Sequence, residues 1–223
     1  MPTAAHPLGP VTTERVAVAM IDFSGFTATT DVHGDVVAAE LAILLTDVAR
    51  QEAATGDEVV KSIGDAVLCA SPGPPQLLDW VTRILVHLNR HDRVPTVCVG
   101  AHEGMVVRRE GDLFGATVNI AARLAGIADP GTLVTTDGLL DAAIDAGHVE
   151  LSTEVVALKN IDAPLRVHRL RIECTTCDPR WPIDPICRMR VDPEGTPRYL
   201  DGAPDVVFCS DACRDRYAAR RPG

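Results

Sequence analysis

One stretch constrains the fold more than any other. Residues 58–70, Glu-Val-Val-Lys-Ser-Ile-Gly-Asp-Ala-Val-Leu-Cys-Ala, place strand-forming residues on both sides of Gly64 and Asp65. A Gly-Asp dipeptide between two such runs favours a tight turn, so the stretch predicts a β-hairpin with Asp65 at its tip. A carboxylate held there can bind a metal ion. It is also a common residue in a solvated turn, and the hairpin alone leaves both interpretations open.

Charge and cysteine content divide the chain into two parts. The formal net charge is −10 over 223 residues. Residues 1–173 hold 23 acidic and 13 basic side chains and residues 174–223 hold 8 of each, so the acidic excess lies in the first part. That balance argues against a nucleic acid or a membrane surface as a partner. Five of the seven cysteines fall in the last 50 residues. We therefore predict a flexible tail over residues 1–14, a larger domain over 15–173 and a small cysteine-rich domain over 174–223.

The sequence also bears on the cellular compartment. The first residues lack the basic stretch and apolar core of a secretory signal, and the longest apolar runs are much shorter than a membrane span. We therefore expect a cytoplasmic protein. Clustered cysteines in a reducing compartment bind metal more often than they form disulfides.

Apolar periodicity predicts alternating strands and helices in the larger domain. Strands are predicted over residues 15–21, 58–63, 66–70, 96–104, 106–109, 131–136, 155–159 and 165–172. Amphipathic helices are predicted over residues 36–53, 76–91 and 117–127. The proline-rich segment 71–75 is predicted to be a loop. This order of elements indicates an α/β or α+β domain in which one sheet is covered by helices.

Four polar residues stand out against this pattern. Asp22 ends the first predicted strand, and Asp65 lies at the hairpin tip. Asn119 and Arg123 are four residues apart, which puts them on one face of a helix. Two carboxylates on adjacent strands can hold a pair of divalent cations, and an amide and a guanidinium can hold a ribose and a phosphate. Arg123 can also be interpreted as a surface arginine paired with a neighbouring acid.

Three segments carry a resemblance to a known family. Residues 22–27 (DFSGFT), 60–65 (VKSIGD) and 112–123 (DLFGATVNIAAR) resemble, in order and spacing, the signature segments of class III nucleotidyl cyclases. The resemblance extends over roughly residues 15–172. It implies an α+β fold with a ferredoxin-like sheet-and-helix catalytic domain. It further implies an adenylate cyclase that converts ATP into 3′,5′-cyclic AMP and pyrophosphate. The alternative is a catalytically silent cyclase-like domain that binds a nucleotide or dimerises.

The resemblance assigns roles to individual residues. Six residues match functional positions of the family: Asp22 and Asp65 for two Mg²⁺ or Mn²⁺ ions, Lys61 and Asp112 for adenine, Asn119 for the ribose, and Arg123 for the phosphate in the transition state. In this family the metal ligands come from one subunit and the other four residues from the second. The expected assembly is therefore a homodimer with two shared active sites.

The cysteine-rich end resembles a second type of module. Cys187, followed after 21 residues by Cys209-x₃-Cys213, resembles a YHS/TRASH-type metal-binding module. Upstream, Cys174 and Cys177 form a tight pair of the kind that chelates zinc. We expect Zn²⁺ or Cu⁺ to be bound by the three downstream cysteines and one of the upstream pair. The metal could be structural, or it could regulate the cyclase. The seven histidines are scattered, and each is expected to be structural or exposed and not a ligand.

Overall fold

The computed structural model describes residues 11–91, 93–172, 181–200 and 202–220. In these ranges the elements follow in this order: β1 (Thr12–Phe23), α1 (Phe26–His33), α2 (Asp35–Gln51), β2 (Glu58–Ile63), β3 (Ala66–Ser71), α3 (Pro74–Leu88), β4 (Val97–Arg109), β5 (Asp112–Phe114), α4 (Ala116–Gly126), β6 (Thr132–Thr136), α5 (Asp137–Asp145), β7 (Val149–Val156), β8 (Leu165–Arg171), β9 (Arg198–Leu200), β10 (Ala203–Phe208) and α6 (Asp211–Arg220). None of the described helices is long and apolar enough to cross a membrane.

One sheet organises the larger part of the chain. Its strand order is β2-β3-β1-β4-β6-β8-β7, and β5 adds to β4 outside this path. β4 and β6 run parallel to each other, whereas the other neighbouring strands are antiparallel. The mixed sheet with helices confirms the α+β class predicted from the sequence.

Both faces of the sheet are covered, which explains the continuous apolar run of β1. Alternate residues of β1, among them Ala19 and Ile21, belong to a hydrophobic cluster that contains residues of α2, α3 and α5. The residues between them, among them Val18 and Met20, belong to a second cluster with α4. The first face therefore holds the main core, and the second face holds α4 close to the sheet.

Several elements differ from the prediction. α3 begins at Pro74, inside the segment predicted as a loop, because a proline in the first turn of a helix removes an N–H that would have no partner in the helix. α1 and α5 are short helices that were not predicted. β7 spans Val149–Val156 and not residues 155–159. Seven of its eight residues are exposed, so the strand carries no clear burial pattern.

The cysteine-rich segment packs against the same main core. Ile186, Cys187 and Phe208 belong to the hydrophobic cluster that contains the α2 and α3 residues. The backbone N–H of Thr96 donates to the carbonyl of Arg188 (3.0 Å). β1 begins at Thr12, three residues before the predicted start of the larger domain at residue 15. The limit at residue 173 stays a prediction, since residues 173–180 lie outside the described ranges.

Candidate active site

Asp22 and Asp65 lie close together at one end of the central strands. Asp22 is the second-last residue of β1 and is in register with Ala66, which directly follows Asp65 in the hairpin. Gly64 has a φ of 63°, which glycine adopts without steric cost, and this forms the turn as the sequence predicts. Oδ1 of Asp22 is buried, and no hydrogen-bond partner for it exists among the described residues.

The electrostatics of this pair suit a divalent cation. Burial and then the negative charge of Asp65 raise the pKa of Asp22 from 3.8 to about 7. A buried acceptor without a partner costs free energy, and two carboxylates that repel each other cost more. A divalent cation would offset both effects, and carboxylate oxygens are ligands that Mg²⁺ and Mn²⁺ prefer. The residues present therefore fit a metal site.

Lys61 and Asp112 form an ion pair on the face of the sheet that carries α4. Nζ of Lys61 donates to Oδ2 of Asp112 over 2.7 Å, and both side chains are about one-third exposed. An irregularity in the pairing of β2 with β3 falls between Val59 and Lys61, so that Lys61 is opposite Leu68. Such a bulge re-aims a side chain. The ammonium also lies 5.7 Å from the ring centroid of Phe114, within cation–π range.

Asn119 and Arg123 lie on α4, both exposed, four residues apart as predicted. Neither side chain makes a hydrogen bond or an ion pair with another described residue. The interpretation of Arg123 as a surface arginine paired with an acid is therefore wrong for the described part of the chain. The structure does not join these two side chains to Asp22 and Asp65 within one subunit. Their donors are free to meet a ligand or a second subunit.

Two glycines of β4 set the position of α4. A Cβ on Gly100 would lie 2.0 Å from the backbone nitrogen of Ala125, and a Cβ on Gly104 would lie 2.6 Å from Oγ1 of Thr117. That hydroxyl donates to the carbonyl of Met105 (2.7 Å). The helix with Asn119 can therefore approach the sheet only because these β4 positions lack side chains.

The three downstream cysteines come together at the end of α1. Cys187, Cys209 and Cys213 form one cluster with His33, the last residue of α1. Cys174 and Cys177 lie outside the described residues. The sequence led us to expect that His33 is structural or exposed and not a ligand, whereas the structure places it among the potential metal ligands of this cluster. His33 followed by Gly34 is a sequence signal for the end of a helix, and it could have revealed α1.

Comparison with known proteins identifies relatives of the chain. No protein-family model matches the chain. A pH-sensitive adenylate cyclase of Mycobacterium tuberculosis (strain CDC 1551 / Oshkosh) is 38% identical over 136 residues, which is 59% of this chain and 33% of that protein. An adenylate cyclase of Streptomyces coelicolor is 38% identical over 116 residues, which is 51% of this chain and 30% of that protein. The chain thus spans about a third of the length of these curated relatives.

Solved structures agree on the fold. The adenylyl cyclase CyaB from P. aeruginosa superposes with a TM-score of 0.60 over 72% of this chain and 95% of that chain, at 16% identity. The sheet, the Asp22–Asp65 pair and the Lys61–Asp112 pair lie in the region that carries the three signature segments. We conclude that the chain contains a nucleotidyl cyclase catalytic domain.

Proposed function

We propose that the protein is an adenylate cyclase that converts ATP into 3′,5′-cyclic AMP and pyrophosphate. The observation that carries this proposal is the Asp22–Asp65 pair, with a buried oxygen that no described residue satisfies. A purely structural carboxylate of this kind would be expected to have a hydrogen-bond partner. The similarity to proteins named adenylate cyclases supports ATP as the substrate.

Asp22 and Asp65 are the residues that would hold two Mg²⁺ or Mn²⁺ ions. Bound there, such ions lower the pKa of the attacking 3′-hydroxyl and neutralise charge on the phosphates. The rigid hairpin and the end of β1 fix both carboxylates before the substrate arrives. This arrangement limits the reorganisation that the reaction needs.

Lys61 and Asp112 would select adenine by hydrogen bonding. The edge of adenine offers a ring nitrogen that accepts a hydrogen bond and an amino group that donates one. Guanine has a ring N–H in place of the first and a carbonyl oxygen in place of the second. Lys61 donates and Asp112 accepts, so the pair matches adenine. Each side chain satisfies the other at 2.7 Å in the free protein, which keeps both in place until the base replaces that contact.

Asn119 and Arg123 would serve the active site of a partner subunit. Both are exposed and make no side-chain bond to other described residues, so their donors are available for a ribose and for the phosphate charge that grows in the transition state. Three large apolar side chains around the Lys61–Asp112 region, Ile63, Met105 and Phe114, are also exposed. An exposed apolar surface of this kind supports a homodimer with two shared sites.

A mixing experiment tests the activity and the shared sites together. Asp22→Asn removes a metal ligand, and Arg123→Ala removes the transition-state donor, so each variant alone should form no cyclic AMP. In an equal mixture about half of the dimers are mixed and each of these has one intact site, so about a quarter of the wild-type rate should return. A mixture that stays inactive, although each variant dimerises, would contradict the shared site.

The cysteine-rich segment is proposed to regulate this activity from within the cytoplasm. This proposal is supported by contacts between the cysteine-rich segment and residues that follow Asp22 in the sequence. Oγ1 of Thr29 donates to the carbonyl of Cys187 (3.2 Å), and the Arg188 side chain packs against Gly25. A change in the fold of the segment would therefore reach the loop after Asp22 through direct contacts. The cytoplasmic location rests on the reduced cysteines that such a metal module requires.

A further inference from the structure

The cluster at the end of α1 has four potential metal ligands from two distant parts of the sequence. One atom from each of His33, Cys187, Cys209 and Cys213 lies within 4.8 Å of all the others. Sγ of Cys187 is 3.5 Å from Sγ of Cys209, much longer than a disulfide bond of about 2.05 Å, and the cysteines are free.

Four of the six separations between these atoms are close to the edges of a zinc coordination tetrahedron, and the other two are within 4.8 Å. With Zn–S bonds of about 2.3 Å and a Zn–N bond of about 2.05 Å, the S···S edges are about 3.8 Å and the S···N edges about 3.6 Å. Sγ of Cys209 lies 3.8 Å from Sγ of Cys213 and 3.5 Å from Nε2 of His33. Nε2 of His33 lies 3.9 Å from Sγ of Cys213. The four atoms thus enclose a space of the size that a tetrahedral ion fills.

Buried hydrogen bonds hold the cysteine loops in this arrangement. Asp184 is fully buried, and its Oδ1 accepts the backbone N–H of Ile186 (2.7 Å) and of Cys187 (3.3 Å). Its Oδ2 accepts the backbone N–H of Cys209 (2.8 Å). One carboxylate therefore ties the loop of the first cysteine to the loop of the second. Such supporting contacts are what orient the ligands of metal sites.

The histidine reaches the cluster because α1 and the cysteine-rich segment are docked side by side. Oγ1 of Thr29 donates to the carbonyl of Cys187 at 3.2 Å. The guanidinium of Arg216, on α6, pairs with Asp31 at 2.7 Å. Both contacts lie on α1, within one turn of His33. These two contacts hold α1, and with it the imidazole of His33, against the cysteine-rich segment.

We propose that His33, Cys187, Cys209 and Cys213 form a Cys₃His site for Zn²⁺ that fastens the cysteine-rich segment to the catalytic domain. Three thiolates and an imidazole in tetrahedral order suit zinc better than Mg²⁺ or Mn²⁺, which prefer oxygen ligands. Each ligating thiol gives up its proton to solvent when the ion binds. The site needs neither Cys174 nor Cys177, and it stands whether or not the domain makes cyclic AMP.

The test is a titration of the reduced, metal-free chain with Co²⁺ and then with Zn²⁺. Co²⁺ should give the visible absorption of a tetrahedral ion and a near-ultraviolet thiolate band, which the carboxylates Asp22 and Asp65 cannot produce. One Zn²⁺ should displace it and should raise the melting temperature by about 5 °C or more. The same thiolate band should appear in the double variant Cys174→Ser/Cys177→Ser.

Substitution of the histidine decides the claim. His33→Ala should weaken Zn²⁺ affinity by about 100-fold or more, since loss of an outer-shell partner alone costs 10- to 100-fold. His33→Cys should restore tight binding with a four-thiolate spectrum. The matched control is His91→Ala, at an exposed histidine on the protein surface, which should bind like wild type. Unchanged affinity and spectrum in His33→Ala, or loss of the thiolate band in Cys174→Ser/Cys177→Ser, would overturn the proposal.

Discussion

The close approach of α4 to the sheet makes Gly100→Ala the most informative single change. The new Cβ would lie 2.0 Å from the nitrogen of Ala125 and 2.2 Å from the oxygen of Ala121. Real Cβ atoms essentially never come within 3.0 Å of another heavy atom in this way, and here the obstacle is backbone, which cannot rotate aside. The helix must therefore move outward by about 1 Å.

The magnitude follows from that displacement. Overpacking of a well-packed core costs about 1–3 kcal/mol, and a clash with backbone belongs at or above the upper end, so we expect a loss of about 3 kcal/mol in unfolding free energy. For a chain of this size that corresponds to a fall of about 6–12 °C in melting temperature. Since α4 carries Asn119 and Arg123, a misplacement of about 1 Å should also lower the cyclase rate about 100-fold in the folded protein.

A matched substitution on the same helix separates this clash from a general effect of alanine. Gly126, the last residue of α4, would have nothing within 4 Å of a new Cβ. Gly126→Ala should therefore leave stability unchanged or raise it by up to about 1 kcal/mol. Urea denaturation and cyclic AMP formation would be measured on both variants. A Gly100→Ala protein within about 0.5 kcal/mol of wild type would refute the tight packing of α4 described above.

Four other predictions follow. The side chain of Asp57 is fully buried and accepts hydrogen bonds from Ser71, Gln76 and Arg83. Asp57→Asn should therefore lower the free energy of unfolding, measured by urea denaturation, by about 2–4 kcal/mol. Lys61→Ala should lower kcat/KM for ATP about 10- to 100-fold and should reduce the ratio of kcat/KM for ATP to that for GTP. Burial lowers the pKa of His168, but hydrogen bonds and charge from Asp137 and Glu150 outweigh it, so the net pKa is raised. This histidine therefore contributes stability below its unfolded pKa of 6.5, and that stability is lost as the pH rises through the folded value. His168→Gln should accordingly destabilise the protein more at pH 6 than at pH 8. If the cysteine-rich segment regulates the cyclase, Cys213→Ser should change the rate of cyclic AMP formation, whereas an unchanged rate would argue against regulation.

Much of the fold could be predicted from local sequence. The apolar run of β1 and the Gly64–Asp65 turn carry their own signals, since a strand buried on both faces must be apolar throughout and a two-residue turn favours glycine. α3 and α4 showed helical periodicity, and their limits were found within a few residues. These elements are specified by residues within one turn or one hairpin of each other.

The rest depends on contacts between distant residues. The bulge that turns Lys61 toward Asp112 arises from pairing with β3 and leaves no mark in the composition of β2. His33 approaches Cys213 only because two parts of the chain 180 positions apart pack together. The absence of a side chain at Gly100 has a meaning only once α4 lies over it. No periodicity within a single element could have predicted these three features.

The central claim is that Asp22 and Asp65 support ATP cyclisation. The most direct measurement is cyclic AMP formed from ATP by the purified chain with Mg²⁺ or Mn²⁺, beside Asp65→Asn and the exposed control Asp79→Asn. We predict cyclic AMP from the wild type and from Asp79→Asn, and a rate at least about 100-fold lower in Asp65→Asn. A folded, dimeric wild-type protein that forms no cyclic AMP with either ion, or an Asp65→Asn variant with an unchanged rate, would contradict the account.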